Sequence, residues 1–220
     1  LDAPVAQVLE PQFAAAGCLV FSNASAFRMA PDVPLVVPEV NSHHFALLDV
    51  QRRTRGWRGG ILCNPNCTTA ILTMALAPLH AAFGIEALQL VSMQAISGAG
   101  YPGVPSLDIL GNVVPWIPGE EDKVQVESQR ILGSLSAEGH VVPQTFPLSA
   151  HCNRVPVVDG HTLSVSIRLS GDPDPQAVAD AMERWRGRPQ PDGTVARDPG
   201  ALPTAPEVPL RIHRTLARPH

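Results

Sequence analysis

The sequence predicts an α/β protein with a second, partly antiparallel layer. Three observations carry this. The chain opens with a helical repeat, a glycine and a short apolar run, which is the second half of a βαβ unit. A strand-like Gly60–Cys63 leads through Asn-Pro-Asn into a long helical pattern. Residues 162–169 alternate polar and apolar side chains, the signature of a half-buried strand.

The elements follow in order. Val5 to Ala16 has helical spacing, with Val5, Val8, Leu9 and Phe13 on one face, and Gly17 is the expected C-cap. Cys18 to Phe21 is a short strand, and Pro34 to Val37 is another candidate. Asn41 is placed to cap a short helix. Cys67 to Phe83 reads as a buried helix, and Ile85 to Ile96 as an extended apolar segment broken at Ser97-Gly-Ala-Gly100. Residues 101–118 are rich in Pro and Gly and read as loop. Glu120 to Leu135 is an amphipathic helix, Arg154 to Leu169 a hairpin turned at Asp159-Gly160, and Asp174 to Trp185 a last helix.

Composition bounds the function. Hydrophobic residues are 45% and charged residues 16% of 220, which is a core-forming balance. A net charge of −4 carries no basic footprint, so no nucleic-acid partner is expected. The apolar runs are short, so no membrane span is expected, and Leu1 to Pro4 lacks a signal-peptide pattern. Four irregularly spaced cysteines (Cys18, Cys63, Cys67, Cys152) predict reduced thiols and a cytoplasmic protein. The 23 prolines read as rigid turns around a loop-built site. The chain begins on Leu1 and ends on RTLARPH, and both ends read as cut from a longer protein.

The chemistry centres on Cys67 in CNPNCTTAIL. Pro65 and Asn66 end the strand, Asn66 is a good N-cap, and Cys67 falls in the first helical turn. Free N–H groups and the positive end of the helix dipole favour a thiolate there and can hold an oxyanion. The bland alternative is a small buried cysteine. Cys63 lies on the strand and reads as core; a metal site at Cys63 and Cys67 lacks nearby ligands, so no metal is expected.

Of eight histidines, His161 follows the Asp-Gly turn and can reach a cleft, whereas His80 lies within the Cys67 helix and reads as structural. A two-residue hairpin would place Arg154 and His161 on one face about 13 Å apart, gripping opposite ends of a small substrate. Glu120, Lys123 and Glu127 border the apolar stripe of Val124, Ile131 and Leu135, as a site wall or as an ordinary salt-bridged surface. Gln94 ends the apolar strand before a glycine turn where a ligand can approach the backbone. Arg28, after Ser22-Asn23, is a candidate anion ligand.

Together these motifs resemble the aspartate-β-semialdehyde dehydrogenase family, especially its archaeal and fungal-type branch. The segments that carry the resemblance are SNASAFRM, DVPLVVPEVN, NPNCTT, SMQAISGAGYPG, GEEDK, RVPVVDGHT and LPTAPE. The resemblance implies NADPH-dependent reductive dephosphorylation of β-aspartyl phosphate to aspartate semialdehyde, in the pathway to lysine, threonine and methionine. It implies Cys67 as the nucleophile of a thioacyl intermediate, Asn66 beside it, His161 as acid/base and Gln94 as the residue orienting substrate. Arg154 would pair with the substrate α-carboxylate, where a planar fork suits a carboxylate. Glu120 would receive the amino group, and Lys123 and Arg28 the phosphate. Ser22, Asn23, Ser97 and Gly98 would line NADP.

It further implies a truncated Rossmann-type dinucleotide-binding part over residues 1–66, a catalytic and dimerisation domain over 67–205, and a truncated return segment over 206–220. The family's GxxGxxG phosphate loop and its glycine-rich C-terminal helix have no counterpart here. The 220 residues alone are therefore expected to bind NADP poorly and turn over little. A homodimer or homotetramer is expected. Two alternatives stand beside this reading: a malonyl-CoA (acyl-CoA) reductase of the same fold, and a non-catalytic oligomerisation module.

Overall fold

The computed structural model describes residues 1–187, 206 and 208–213. Most of the LPTAPE stretch and of the expected return segment lies outside the described residues.

The first layer is a small parallel sheet. Helix α1 (Ala3–Ala15) leads through Gly17, whose positive φ of 104° suits glycine, into β1 (Leu19–Ser22). The expected apolar face of α1 is not its buried face. Ala6, Glu10 and Ala14 are buried, while Val5, Val8 and Phe13 are exposed. Alanines at i and i+8 let the helix approach the sheet closely, with Glu10 between them bonded to Ser22, and Val5, Val8 and Phe13 are left outside. Strand β1 pairs in parallel with β2 (Gly60–Cys63).

The strand expected at Pro34 to Val37 reduces to a single parallel bridge, Leu35 to Cys63, beside β2. Pro38 follows at once and starts the short helix α2 (Pro38–Asn41). Asn41 does not cap through its side chain. Its Oδ1 accepts from the Val37 N–H (2.9 Å) and its Nδ2 donates to the Leu35 carbonyl (2.8 Å), closing that turn instead. Helix α3 (Leu47–Arg55), which the sequence reading did not foresee, ends on left-handed Gly56. Its Gln51 is fully buried and bonds the backbone of Ile61 in both directions.

The second layer is built on α4 (Cys67–Phe83) and β3 (Ile85–Gln94). Helix α5 (Ser106–Ile109) interrupts the expected loop. Helix α6 (Glu120–Ile131) stops four residues short of the expected Leu135. Gly133 lies so close to Val142 that a Cβ would sit 2.5 Å from its carbonyl oxygen. There β4 (Ser134–Leu135) turns away to pair with β5 (Val141–Val142).

The expected hairpin is absent. Strands β6 (Leu148–Arg154) and β7 (Thr162–Leu169) do not pair with each other; both flank β3, in the order β6-β3-β7. β6 is parallel to β3 and β7 antiparallel to it. Sequence adjacency favoured pairing across Asp159-Gly160, but β3 has two edges of backbone N–H and C=O groups to satisfy and takes one neighbour on each. Helix α7 (Pro175–Arg184) is capped by Asp174, whose Oδ1 accepts from the Gln176 N–H (2.8 Å).

The inward row of β3 runs Leu88, Leu90, Ser92, Gln94, all buried. In register with it, β6 buries Ala150, Cys152 and Arg154. The row is apolar where it packs on the core with Val124 and Ile131 of α6, and polar at its carboxyl end. That polar end is where the sheet meets the first turn of α4.

Candidate active site

Asn66 prepares the site. Its Oδ1 accepts from the Thr68 and Thr69 N–H groups (2.9 and 3.2 Å), an N-cap of the expected kind. Cys67 follows in the first turn with its thiol exposed, which removes the reading of a small buried cysteine. Cys63 and Cys152 are the buried thiols. Burial, with Glu10 adding to it, pushes Cys63 up to about 12. Burial also pushes Cys152 upward. Neither is a usable nucleophile.

Cys67 Sγ lies 3.2 Å from His161 Nε2. The other ring nitrogen, Nδ1, accepts the backbone N–H of Ala95 at 3.2 Å. A neutral ring held this way carries its proton on Nε2, directed at the sulfur. The arrangement therefore presents an exposed sulfur in the first helical turn and, beside it, a ring N–H that can donate to an oxygen developing there.

Arg154 and His161 are not held at opposite ends of a long face, as the hairpin would have required. Arg154 donates to the Ala95 carbonyl (2.8 Å) and is buried. Both side chains converge on Gly98, where an added Cβ would lie 2.9 Å from the guanidinium and 3.0 Å from the imidazole. The loop after β6 explains the convergence: the Ile96 and Ser97 N–H groups bond the carbonyls of Val157 and Val158, drawing residues 155–161 over the end of β3.

Glu120, buried at the start of α6, ties the wall together. Its Oε1 accepts from Asn66 Nδ2 (2.6 Å) and Gln94 Nε2 (3.4 Å), and its Oε2 lies 3.6 Å from Lys123 Nζ. The six residues Cys67, His161, Asn66, Gln94, Glu120 and Arg154 thus form one cluster, with Lys123 at its edge and the exposed Ser97 and Gly98 beside it.

Arg28 stands on the other side of the α4 N-terminus. It donates to the Asn23 carbonyl (2.7 Å) and pairs with Glu127 at 3.0 Å. Ser22 is buried, its hydroxyl bonded to Glu10, and Asn23 is exposed, bonded to Asn64 (2.7 Å). A dinucleotide fits this edge by its chemistry. Polar side chains stand at the carboxyl ends of two parallel strands, the usual place for such a ligand in an open α/β sheet. Among the described residues no group of His, Cys, Asp or Glu could hold a metal ion, and no helix is long and apolar enough to cross a membrane.

Sequence reasoning missed the Ala95 N–H, which no side-chain pattern can announce, and the part played by Glu127. Glu127 had been noted only as bordering an apolar stripe; its spacing of seven from Glu120 was the available signal.

An exposed thiol at a helix N-terminus, with an imidazole on it and a parallel-strand edge beside it, is the arrangement that a nucleophilic-thiol enzyme on an α/β scaffold needs. Comparison with known proteins gives the family. The model of the semialdehyde dehydrogenase dimerisation domain matches residues 76–213, and that of the semialdehyde dehydrogenase NAD-binding domain matches residues 1–48. The chain belongs to the semialdehyde dehydrogenase family.

Its relatives include the aspartate-semialdehyde dehydrogenases of Methanothermobacter thermautotrophicus (49% identical over all of this chain and 60% of that protein) and Archaeoglobus fulgidus (44% over the same shares). This chain thus spans 60% of the length of those relatives. Among solved structures it is similar to aspartate semialdehyde dehydrogenase with NADP from Candida albicans, with a TM-score of 0.76 and 44% identity over 85% of this chain and 55% of that one. It is also similar to aspartate semialdehyde dehydrogenase II complexed with ASA from Vibrio cholerae, with a TM-score of 0.70 and 28% identity over 84% and 59%.

Proposed function

We propose that this chain carries the catalytic machinery of an aspartate-semialdehyde dehydrogenase. The reaction is NADPH-dependent reductive dephosphorylation of β-aspartyl phosphate to L-aspartate 4-semialdehyde and phosphate, on the route to lysine, threonine and methionine. The observation that carries the reading is the 3.2 Å contact between Cys67 Sγ and His161 Nε2 at the start of α4.

Cys67 attacks the acyl carbon, the C–O bond to phosphate breaks, and a thioester forms on the sulfur. NADP in its reduced form, when bound, supplies the hydride that reduces this carbon. The C–S bond then breaks, releasing the aldehyde and the Cys67 thiolate. His161 holds its Nε2 proton on the substrate oxygen while that oxygen carries negative charge. Gln94 orients the acyl group, and Asn66 fixes the turn that presents the sulfur. Arg154 binds the α-carboxylate, Glu120 the amino group, and Lys123 and Arg28 the phosphate. Ser22, Asn23, Ser97 and Gly98 would line the cofactor.

Residues 1–66 form part of the dinucleotide side, residues 67–205 the catalytic and dimerisation side, and residues 206–220 return to the first. The protein works as a homodimer or homotetramer in the cytoplasm. The match to a dimerisation-domain model supports the assembly. The outer face of β3 and β7, with exposed Val91, Ser164 and Ser166, supports it as well.

The test uses the product of the complete reading frame, following NADPH formation from aspartate semialdehyde with phosphate or with coenzyme A. Phosphate-dependent turnover that disappears in Cys67→Ala is expected. Turnover with coenzyme A alone would replace the acyl phosphate by an acyl-CoA thioester. No turnover with either, from a folded protein, would mean another acyl substrate, such as malonyl-CoA, or a non-catalytic module.

A further inference from the structure

Glu127 lies 61 residues from Asn66 in sequence and is 2% exposed, yet its carboxylate touches the N-terminus of the nucleophile's helix. Oε2 accepts the backbone N–H of Asn66 at 2.6 Å, and Oε1 accepts from Arg28 at 3.0 Å. One buried carboxylate thus joins the chain after β1, the N-cap of α4 and the middle of α6. A carboxylate buried this deeply is stable only with a cation and donors upon it, and here it has one of each. One helical turn further on, Arg130 fastens α6 to the carbonyls of Ala30 and Val33 (2.8 and 3.0 Å), so α6 cannot slide relative to that layer.

We infer that Glu127 is a positioning residue: by holding the Asn66 N–H while Arg28 neutralises it, Glu127 sets the first turn of α4 and hence the attack position of Cys67. Asn66 is grasped on both sides by α6. Glu120 holds its side-chain amide and Glu127 its backbone N–H. Its Oδ1 caps the helix, and its carbonyl accepts the first helical bond from the Ala70 N–H. Release of one grip leaves the asparagine able to rotate, and the sulfur one residue on moves with it. Glu127 touches neither the sulfur nor the imidazole in any of the bonds described, so its influence runs through Asn66. This rests on the reading of Cys67 as nucleophile.

The experiment compares wild type, Glu127→Gln and Cys67→Ala in the complete protein. Glu127→Gln keeps the shape and one acceptor oxygen but loses the charge. The expected result is a kcat about tenfold lower with the KM for aspartate semialdehyde nearly unchanged, the loss of one charge-assisted hydrogen bond. Alkylation of Cys67 by iodoacetamide, read by mass spectrometry, should slow by a similar factor in the folded protein. A merely structural glutamate would lower the melting temperature and leave both the alkylation rate and kcat of the folded fraction at wild-type values; that outcome overturns the inference. If Glu127→Gln does not fold, Glu127→Asp, which withdraws the carboxylate by one methylene, is read in the same assays against the same criterion. Activity that survives in Cys67→Ala would instead overturn the reading of the nucleophile, whichever way Glu127 behaves.

Discussion

Gly98→Ala tests whether the convergence of Arg154 and His161 matters for turnover. Gly98 is exposed and lies outside the left-handed region, so alanine adds a contact without backbone strain. The new methyl would lie 2.9 Å from the Arg154 guanidinium and 3.0 Å from the imidazole, where an ordinary contact begins at 3.4 Å. The two side chains must therefore retreat by about half an ångström. His161 has little room for this, because its ring is fixed at both nitrogens, each bond being 3.2 Å long. A misplacement of about 1 Å costs on the order of 100-fold in rate, so half of that is worth about tenfold, or about 1.4 kcal/mol of transition-state stabilisation. Steady-state kinetics of the complete protein should show kcat/KM about tenfold lower with the melting temperature unchanged. A folded Gly98→Ala enzyme with wild-type kcat/KM would refute the claim that these two side chains are held in working positions around the glycine.

Three other outcomes are expected. Asn66→Ala removes the N-cap and should cost about 1 kcal/mol of stability in denaturant titration, together with most of the activity. Iodoacetamide should modify Cys67 and the exposed Cys18 in the native protein, while Cys63, pushed up to about 12 by burial, and buried Cys152 react only after denaturation. The Arg55 guanidinium holds the Asp32 carboxyl below its ordinary 3.8. The folded value is the lower one, so the pair's stability is fully present above pH 3.8 and is lost as pH falls through the folded value. Melting curves in acid should show this slope, and Asp32→Asn should flatten it.

Much of the site was legible because its signals are local. Asn66 as cap and Cys67 in the first turn follow from spacing at the start of α4, and the row of Glu120, Lys123 and Glu127 from spacing along α6. The strand Gly60–Cys63 was bounded correctly by its flanking glycine and proline. What failed was non-local. The alternation of Thr162 to Leu169 marked a strand but could not name its partner, and β3 outbid the nearer β6. Helix α3 was hidden because its buried face includes Gln51, a polar residue satisfied by backbone groups of Ile61 and Asp32 that are distant in sequence. The apolar residues of α1 pointed to a face that the fold leaves outside, since Ala6 and Ala14 allow the closer packing.

The contact between Cys67 and His161 closes a loop of 94 residues. The helix that bears the sulfur is one continuous segment, whereas the imidazole lies between β6 and β7, the strands that flank β3. A ribosome-bound chain that has emerged only as far as α6 therefore displays the thiol with no ring against it. The pair is completed only once the chain beyond α6 has been made and residues 155–161 have been drawn over the end of β3.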